Sequence, residues 1–154
     1  MFNPSREQVR KFLADAWRKR CNGLPATPIE TIAGDIITLH PEYHALLAAA
    51  DKEPERALER EWSPEGGETN PFLHLSLHLA IEEQLSIDQP PGIAALFRQL
   101  LQRHGDRHAA LHVVLDCLAE TLWRSQRDQA PLDSAAYITL LQRATGQDTH
   151  SAKN

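Results

Sequence analysis

Long apolar runs are missing from this 154-residue sequence: no stretch approaches the roughly 20 residues needed to cross a bilayer, so no membrane span is expected. Cysteine is scarce too. Cys21 and Cys117 stand in unrelated contexts with no CxxC pair, and the opening MFNPSREQVRKFLADAW is amphipathic where a secretory signal needs an uninterrupted apolar stretch. The expectation is a cytoplasmic protein with two reduced thiols. Segments of alternating Val, Ile and Thr are also lacking, which excludes strands and leaves an all-α fold. Positive charge is not in excess: a net charge of −5 and a pI near 5.9 argue against a general nucleic-acid binder. Several catalytic signatures are absent as well, among them HExxH, the ExxH of ferritin-like di-iron bundles, GxxxxGK[ST], GxSxG and GxGxxG.

What remains is a chain with 42% apolar and 24% charged residues, ordinary globular values, long enough to fold as one domain without staples. Asn3-Pro4 opens a first helix, since Asn caps well and Pro is tolerated at the first turn, and Asn22-Gly23 stops it. Thr27-Pro28-Ile29-Glu30 is a capping box that starts a second helix running to about His40, where Pro41 interrupts it. A third follows from about 42 to 50. Residues 51 to 69 hold seven carboxylates against three basic residues, with two prolines and Gly66-Gly67. That acidic segment is expected to be the most mobile of the chain. Asn70-Pro71 opens a helix to about 86, Gln89-Pro90-Pro91 one to about 103, Asp106 one to about 128, and Asp133 the last, to about 144. The architecture predicted is a single-domain helical bundle of about six to seven helices over residues 1 to 146, with a disordered tail at 147 to 154.

The chemistry-bearing feature is histidine spacing. Eight histidines make 28 pairs, of which random placement would put on the order of 0.4 four residues apart. Four such pairs occur: His40/His44, His74/His78, His104/His108 and His108/His112. Residues four apart on a helix lie one above the other, so two imidazoles reach one ion. One helix offers His74, His78 and Glu82; another offers His108, His112, Asp116 and then Glu120. Nitrogen donors mixed with carboxylate oxygens suit iron, manganese or zinc. Cys117 is no part of the set, because it points about 100° away from Asp116. Short linkers make successive helices antiparallel, so these two run parallel with both ladders starting in the first turn, level if the helices touch. The candidate metal ligands are therefore His74, His78, Glu82, His108, His112 and Asp116, with His40 or His44 able to complete the set. Haem ligation by paired histidines is the lesser cofactor option. The stripes are of the kind found in haemerythrin-like bundles, although the HxxxxD element of that family is absent.

A structural account competes with this one. The same imidazoles share faces with Ile81, Leu85, Leu115, Ala119 and Leu122, and can be buried groups satisfied by carboxylates or carbonyls; Glu82, Glu83, Asp116 and Glu120 then pair with Arg98, Arg103, Arg124 or Arg127. His40, at a helix end before Pro41, reads as an imidazolium held by the helix dipole. On that account the protein is a non-enzymatic interaction or adaptor module, and a homodimer is one form it can take. The first helix carries Arg6, Arg10, Lys11, Arg18, Lys19 and Arg20 against Glu7 and Asp15. That surplus can meet an acidic partner or RNA, or serve the helix dipole and line the face away from Phe12 and Trp17. Trp17 and Trp123 read as core or lid packing, and Trp62, in the acidic segment, as a residue able to close a polar pocket. No catalytic residue is assigned, and no substrate or reaction follows.

NPSREQVR near the start, HPEYH at 40 to 44, NPFLHLSLHLAIEEQLSIDQPPGI at 70 to 93 and GDRHAALHVVLDCLAETLWRSQR at 105 to 127 together resemble an uncharacterised bacterial family known as domain of unknown function 1841. The similarity covers about residues 2 to 143. It implies a small cytoplasmic protein of proteobacteria, with no activity or catalytic residue to transfer.

Overall fold

The computed structural model describes residues 6–52 and 70–146. Seven α-helices and one 3-10 turn occur among them, and no strand, as the composition predicts. The Asn3-Pro4 cap, the acidic segment beyond Lys52 with its expected mobility, Trp62 and the tail from residue 147 lie outside the described residues.

Helix α1 (Arg6–Asn22) ends at Gly23, whose φ of 63° places it in the left-handed region that favours glycine. Helix α2 (Pro28–Thr38) starts on the expected capping box: the Thr27 hydroxyl accepts from the Glu30 amide at 3.2 Å, and the Glu30 carboxylate accepts from the Thr27 amide at 2.8 Å. Pro41 opens the 3-10 turn Pro41–Tyr43, and α3 (His44–Lys52) follows directly. Helix α4 (Pro71–Ile87) is capped by Asn70, whose side-chain oxygen accepts from the amides of Phe72 and Leu73. Helix α5 (Ile93–His104) begins later than its prolines imply. Gly92, at φ 98°, cannot be helical, and the acceptor for the Ala94 amide is the carboxylate of Asp88. Helices α6 (Arg107–Asp128) and α7 (Ser134–Thr145) are capped by Asp106 and Asp133, as expected.

The chain divides into two compact units at Leu79 and Ala80, within α4. In the first, α1 packs on α2 and α3, and Leu13, Ala16, Ala33, Ile36, Ile37, Leu47, Phe72 and Leu75 form the core. Each of the Leu, Ile and Phe side chains among them stabilises the fold by roughly 1.5–3 kcal/mol when fully buried. Two basic residues at the end of α1 are used internally. Lys19 meets Glu30 at 2.7 Å and Arg20 meets Asp35 at 2.6 Å, and the Arg20 guanidinium lies across Gly34, where an added Cβ would stand 3.0 Å from it. Arg10 corrects the expectation of an outward basic face: it is fully buried, its guanidinium 4.9 Å from the centre of the Phe72 ring. In the second unit, α5, α6 and α7 pack on one another around Ile93, Leu96, Leu100, Leu111, Val114, Tyr137 and Leu141. Trp123, expected as core or lid packing, is not in the core: it is 55% exposed, because it falls on the outward stripe of α6, and the Arg127 guanidinium covers one ring face at 4.9 Å.

Candidate metal centre

Within the first unit, the end of α2 sets the position of two histidines. The helix closes at Thr38, and the His40 amide donates to the Ile37 carbonyl at 2.9 Å. Pro41 then turns the chain. His40 is 1% exposed, so its ring is interior and not at the solvated helix end that its place before Pro41 implies. Its Nδ1 stands 2.8 Å from the Ile36 carbonyl oxygen. A carbonyl only accepts, so Nδ1 carries a proton and Nε2 is the one nitrogen that His40 has for any other partner. His44 points elsewhere: its Nε2 donates to the Ile37 carbonyl at 2.8 Å, and its ring stacks on Trp17 with centroids 4.3 Å apart.

Helix α4 brings His74 and His78 to His40 across 34 residues of sequence or more. The three rings form a nearly equilateral group, with centroids 4.9 Å apart for His40/His74, 4.8 Å for His40/His78 and 4.9 Å for His74/His78. All three meet edge to face. His74 Nε2 lies 3.2 Å from His40 Nε2, a hydrogen bond in which one ring must supply the proton and the other the lone pair. Tyr43 lies parallel to His40 at 5.5 Å and edge-on to His74 at 5.9 Å; burial, helped by the charge of Glu42, pushes its hydroxyl above the ordinary tyrosine pKa. His78 is 1% exposed, while His74 is half-buried.

In the second unit, the Asp106 carboxylate accepts from the Ala109 amide at 2.8 Å and fixes the start of α6. One turn on, His108 and His112 stack obliquely, with centroids 4.2 Å apart, both half-buried. The carboxylates of the two ladders are differently placed. Glu82 is held in a two-pronged pair by Arg107, at 2.9 and 3.0 Å, and the guanidinium lies over Phe97 at 5.6 Å. Glu120 pairs with Arg124 at 2.8 Å, and Asp116 is exposed. His104 is exposed at the end of α5.

The structure thus gathers three imidazoles in the first unit and two in the second, and holds Glu82 in an ion pair. Tyr43 escaped the reading of the sequence, which offered His40 as one of two histidines able to complete the set. The HPEYH segment was the available signal, since a proline between two histidines four apart breaks the helix that would otherwise keep both on one stripe.

A family model described as "Domain of unknown function (DUF1841)" matches residues 5–143. No curated protein and no solved structure matches the chain.

Proposed function

We propose that this chain, which belongs to the DUF1841 family of unknown function, binds a transition metal through His40, His74 and His78. One observation carries the reading: the three rings lie with their centroids 4.9, 4.8 and 4.9 Å apart, and His74 Nε2 stands 3.2 Å from His40 Nε2. Around an ion with bonds of about 2.0–2.1 Å, tetrahedral ligands stand roughly 3.3–3.4 Å apart, so modest ring rotations close the set. The Nδ1–H bond from His40 to the Ile36 carbonyl is the kind of outer bond that orients a metal-ligating histidine. An all-imidazole set suits zinc and iron better than manganese, which favours oxygen ligands. Glu82 and Asp116 are left outside the set, because Glu82 is bonded to Arg107 and Asp116 faces solvent. The reading includes a cytoplasmic location, supported by two unpaired cysteines. No helix among the described residues is long and apolar enough to cross a membrane.

Elemental analysis of protein purified without a histidine tag tests the reading. About one zinc or iron per chain is expected, reduced to background in His78→Ala of unchanged helicity. Metal-free protein that takes up neither ion after dialysis against it would overturn the assignment. A second reading, an interaction module or homodimer with structural histidines, is favoured by apolar residues left in solvent on and beside α2: Leu24 at 44% exposure, Ile29 at 50% and Leu39 at 54%. Light scattering on wild type and Ile29→Asp distinguishes it, since a dimer through this surface would dissociate in the variant.

A further inference from the structure

We infer that Tyr43 is a positioning residue of the metal site: its ring lies flat beside His40 and holds that imidazole at the angle from which Nε2 meets the ion. The inference rests on the metal reading above, involves residues of the first unit alone, and adds a side chain that holds a ligand without being one. The 3-10 turn puts Tyr43 there. Pro41 has no amide hydrogen with which to continue α2, and the chain tightens into Pro41–Tyr43, closed by the Tyr43 amide donating to the His40 carbonyl at 2.9 Å. Such a turn repeats every three residues, where an α-helix repeats every 3.6, so the Tyr43 side chain comes over that of His40, three residues before it. The two rings are 5° from parallel with centroids 5.5 Å apart, an offset stack. His44, one residue on, leaves that stripe for Trp17 and the Ile37 carbonyl. The turn thus decides which of the two histidines meets His74 and His78.

A hydrogen bond fixes one edge of the His40 ring and no more. Nδ1 donates to the Ile36 carbonyl at 2.8 Å, and a ring held at that edge still tilts about it, which swings Nε2 on the opposite edge. Nε2 is the nitrogen that faces His74, at 3.2 Å, close to the roughly 3.3–3.4 Å that separates tetrahedral ligands. A flat ring against the face of His40 stops the tilt. Tyr43 also meets His74 edge-on at 5.9 Å, so one aromatic plate borders two of the three ligands. Holding a ligand in its bound orientation spares the ion the cost of ordering it, which for one side chain is roughly threefold to tenfold in affinity. The ring face does this, and the hydroxyl has no part in it.

The test compares wild type with Tyr43→Phe, which keeps the flat ring, and Tyr43→Leu, which keeps an apolar side chain without one. Zinc affinity is measured by competition with a chromophoric chelator, after circular dichroism has shown equal helicity. Tyr43→Phe should bind as wild type does, and Tyr43→Leu roughly threefold to tenfold more weakly. Wild-type affinity in Tyr43→Leu would overturn the inference, even where the metal-free variant melts lower, since the ring would then serve packing alone. Tyr43→Phe as weak as Tyr43→Leu would overturn it by giving the role to the hydroxyl. If wild type itself binds no zinc, the metal reading falls and the inference with it. Nuclear Overhauser contacts in the wild type give an answer that needs no variant. Those between the Tyr43 and His40 rings should be present without zinc and unchanged with it, and contacts that appear only on zinc addition would show a ring ordered by the ion and overturn the inference.

Discussion

The thiol of Cys117 is half-buried in α6, and burial, with a further push from the charge of Asp116, raises its pKa to about 11. A raised thiol pKa means that the neutral form persists at pH 8, where only about one molecule in a thousand carries the reactive thiolate. Cys21 is exposed at the end of α1. Brief treatment with iodoacetamide at pH 8 should therefore modify Cys21 and spare Cys117, read by peptide mass spectrometry; equal labelling of the two would show that the α6 thiol is not shielded. The same dependence on distant neighbours explains why residue roles were only half legible in the sequence. Spacing alone singled out His74, His78, His108 and His112, because it is a local property of helices. Arg10 was misplaced, and the choice between His40 and His44 left open, because the surroundings of Arg10 and His40 are set by Phe72, His74 and His78, more than 30 residues away in the chain. No period in the sequence encodes those distances.

Helix boundaries were legible wherever a short polar side chain caps its own helix. Thr27, Asn70, Asp106 and Asp133 each accept from an amide two or three residues ahead, a contact visible in the sequence. The start of α5 was not legible, because its acceptor, Asp88, sits six residues before the amide it serves. Asp106→Ala should lower the stability of the fold by about 1 kcal/mol in urea denaturation, since the first-turn amides of α6 lose their partner; a change within error would mean that water replaces the cap without cost. Glu30 supplies a pH-dependent contribution at the α1–α2 contact. Its carboxyl is held below the usual range, first by the hydrogen bond from Lys19 and then by that from the Thr27 amide. A depressed folded-state pKa gives stability that is present above the unfolded pKa and lost as pH falls through the folded one. Glu30→Gln should thus melt below wild type at pH 7, and the gap should close as the pH falls through the carboxylate range, roughly 5 to 3. A gap that is constant with pH would remove the charge from the explanation.

At the scale of the molecule, the all-α class followed from many independent local signals, caps, breakers and the lack of alternating apolar segments, so an error at one of them could not change it. The proposed metal site depends instead on three residues being right together, and two of those, His74 and His78, stood among the ligands the spacing offered. Mass action gives the proposed site a consequence for the whole fold. An ion that binds the folded chain alone stabilises it by about 2.7 kcal/mol at a hundredfold excess over Kd, which for a chain of this length raises the melting temperature by roughly 5 to 10 °C. Zinc should produce that rise in metal-free wild type, and His74→Ala and His78→Ala should abolish it. His44→Ala separates ligation from structure. Its ring stacks on Trp17 and donates to the Ile37 carbonyl, so its loss should lower the melting temperature of the metal-free protein while leaving the zinc-dependent increment intact. If His44→Ala instead loses the increment and His78→Ala keeps it, the histidines at the end of α2 hold the ion by another arrangement, and the three-imidazole assignment is wrong.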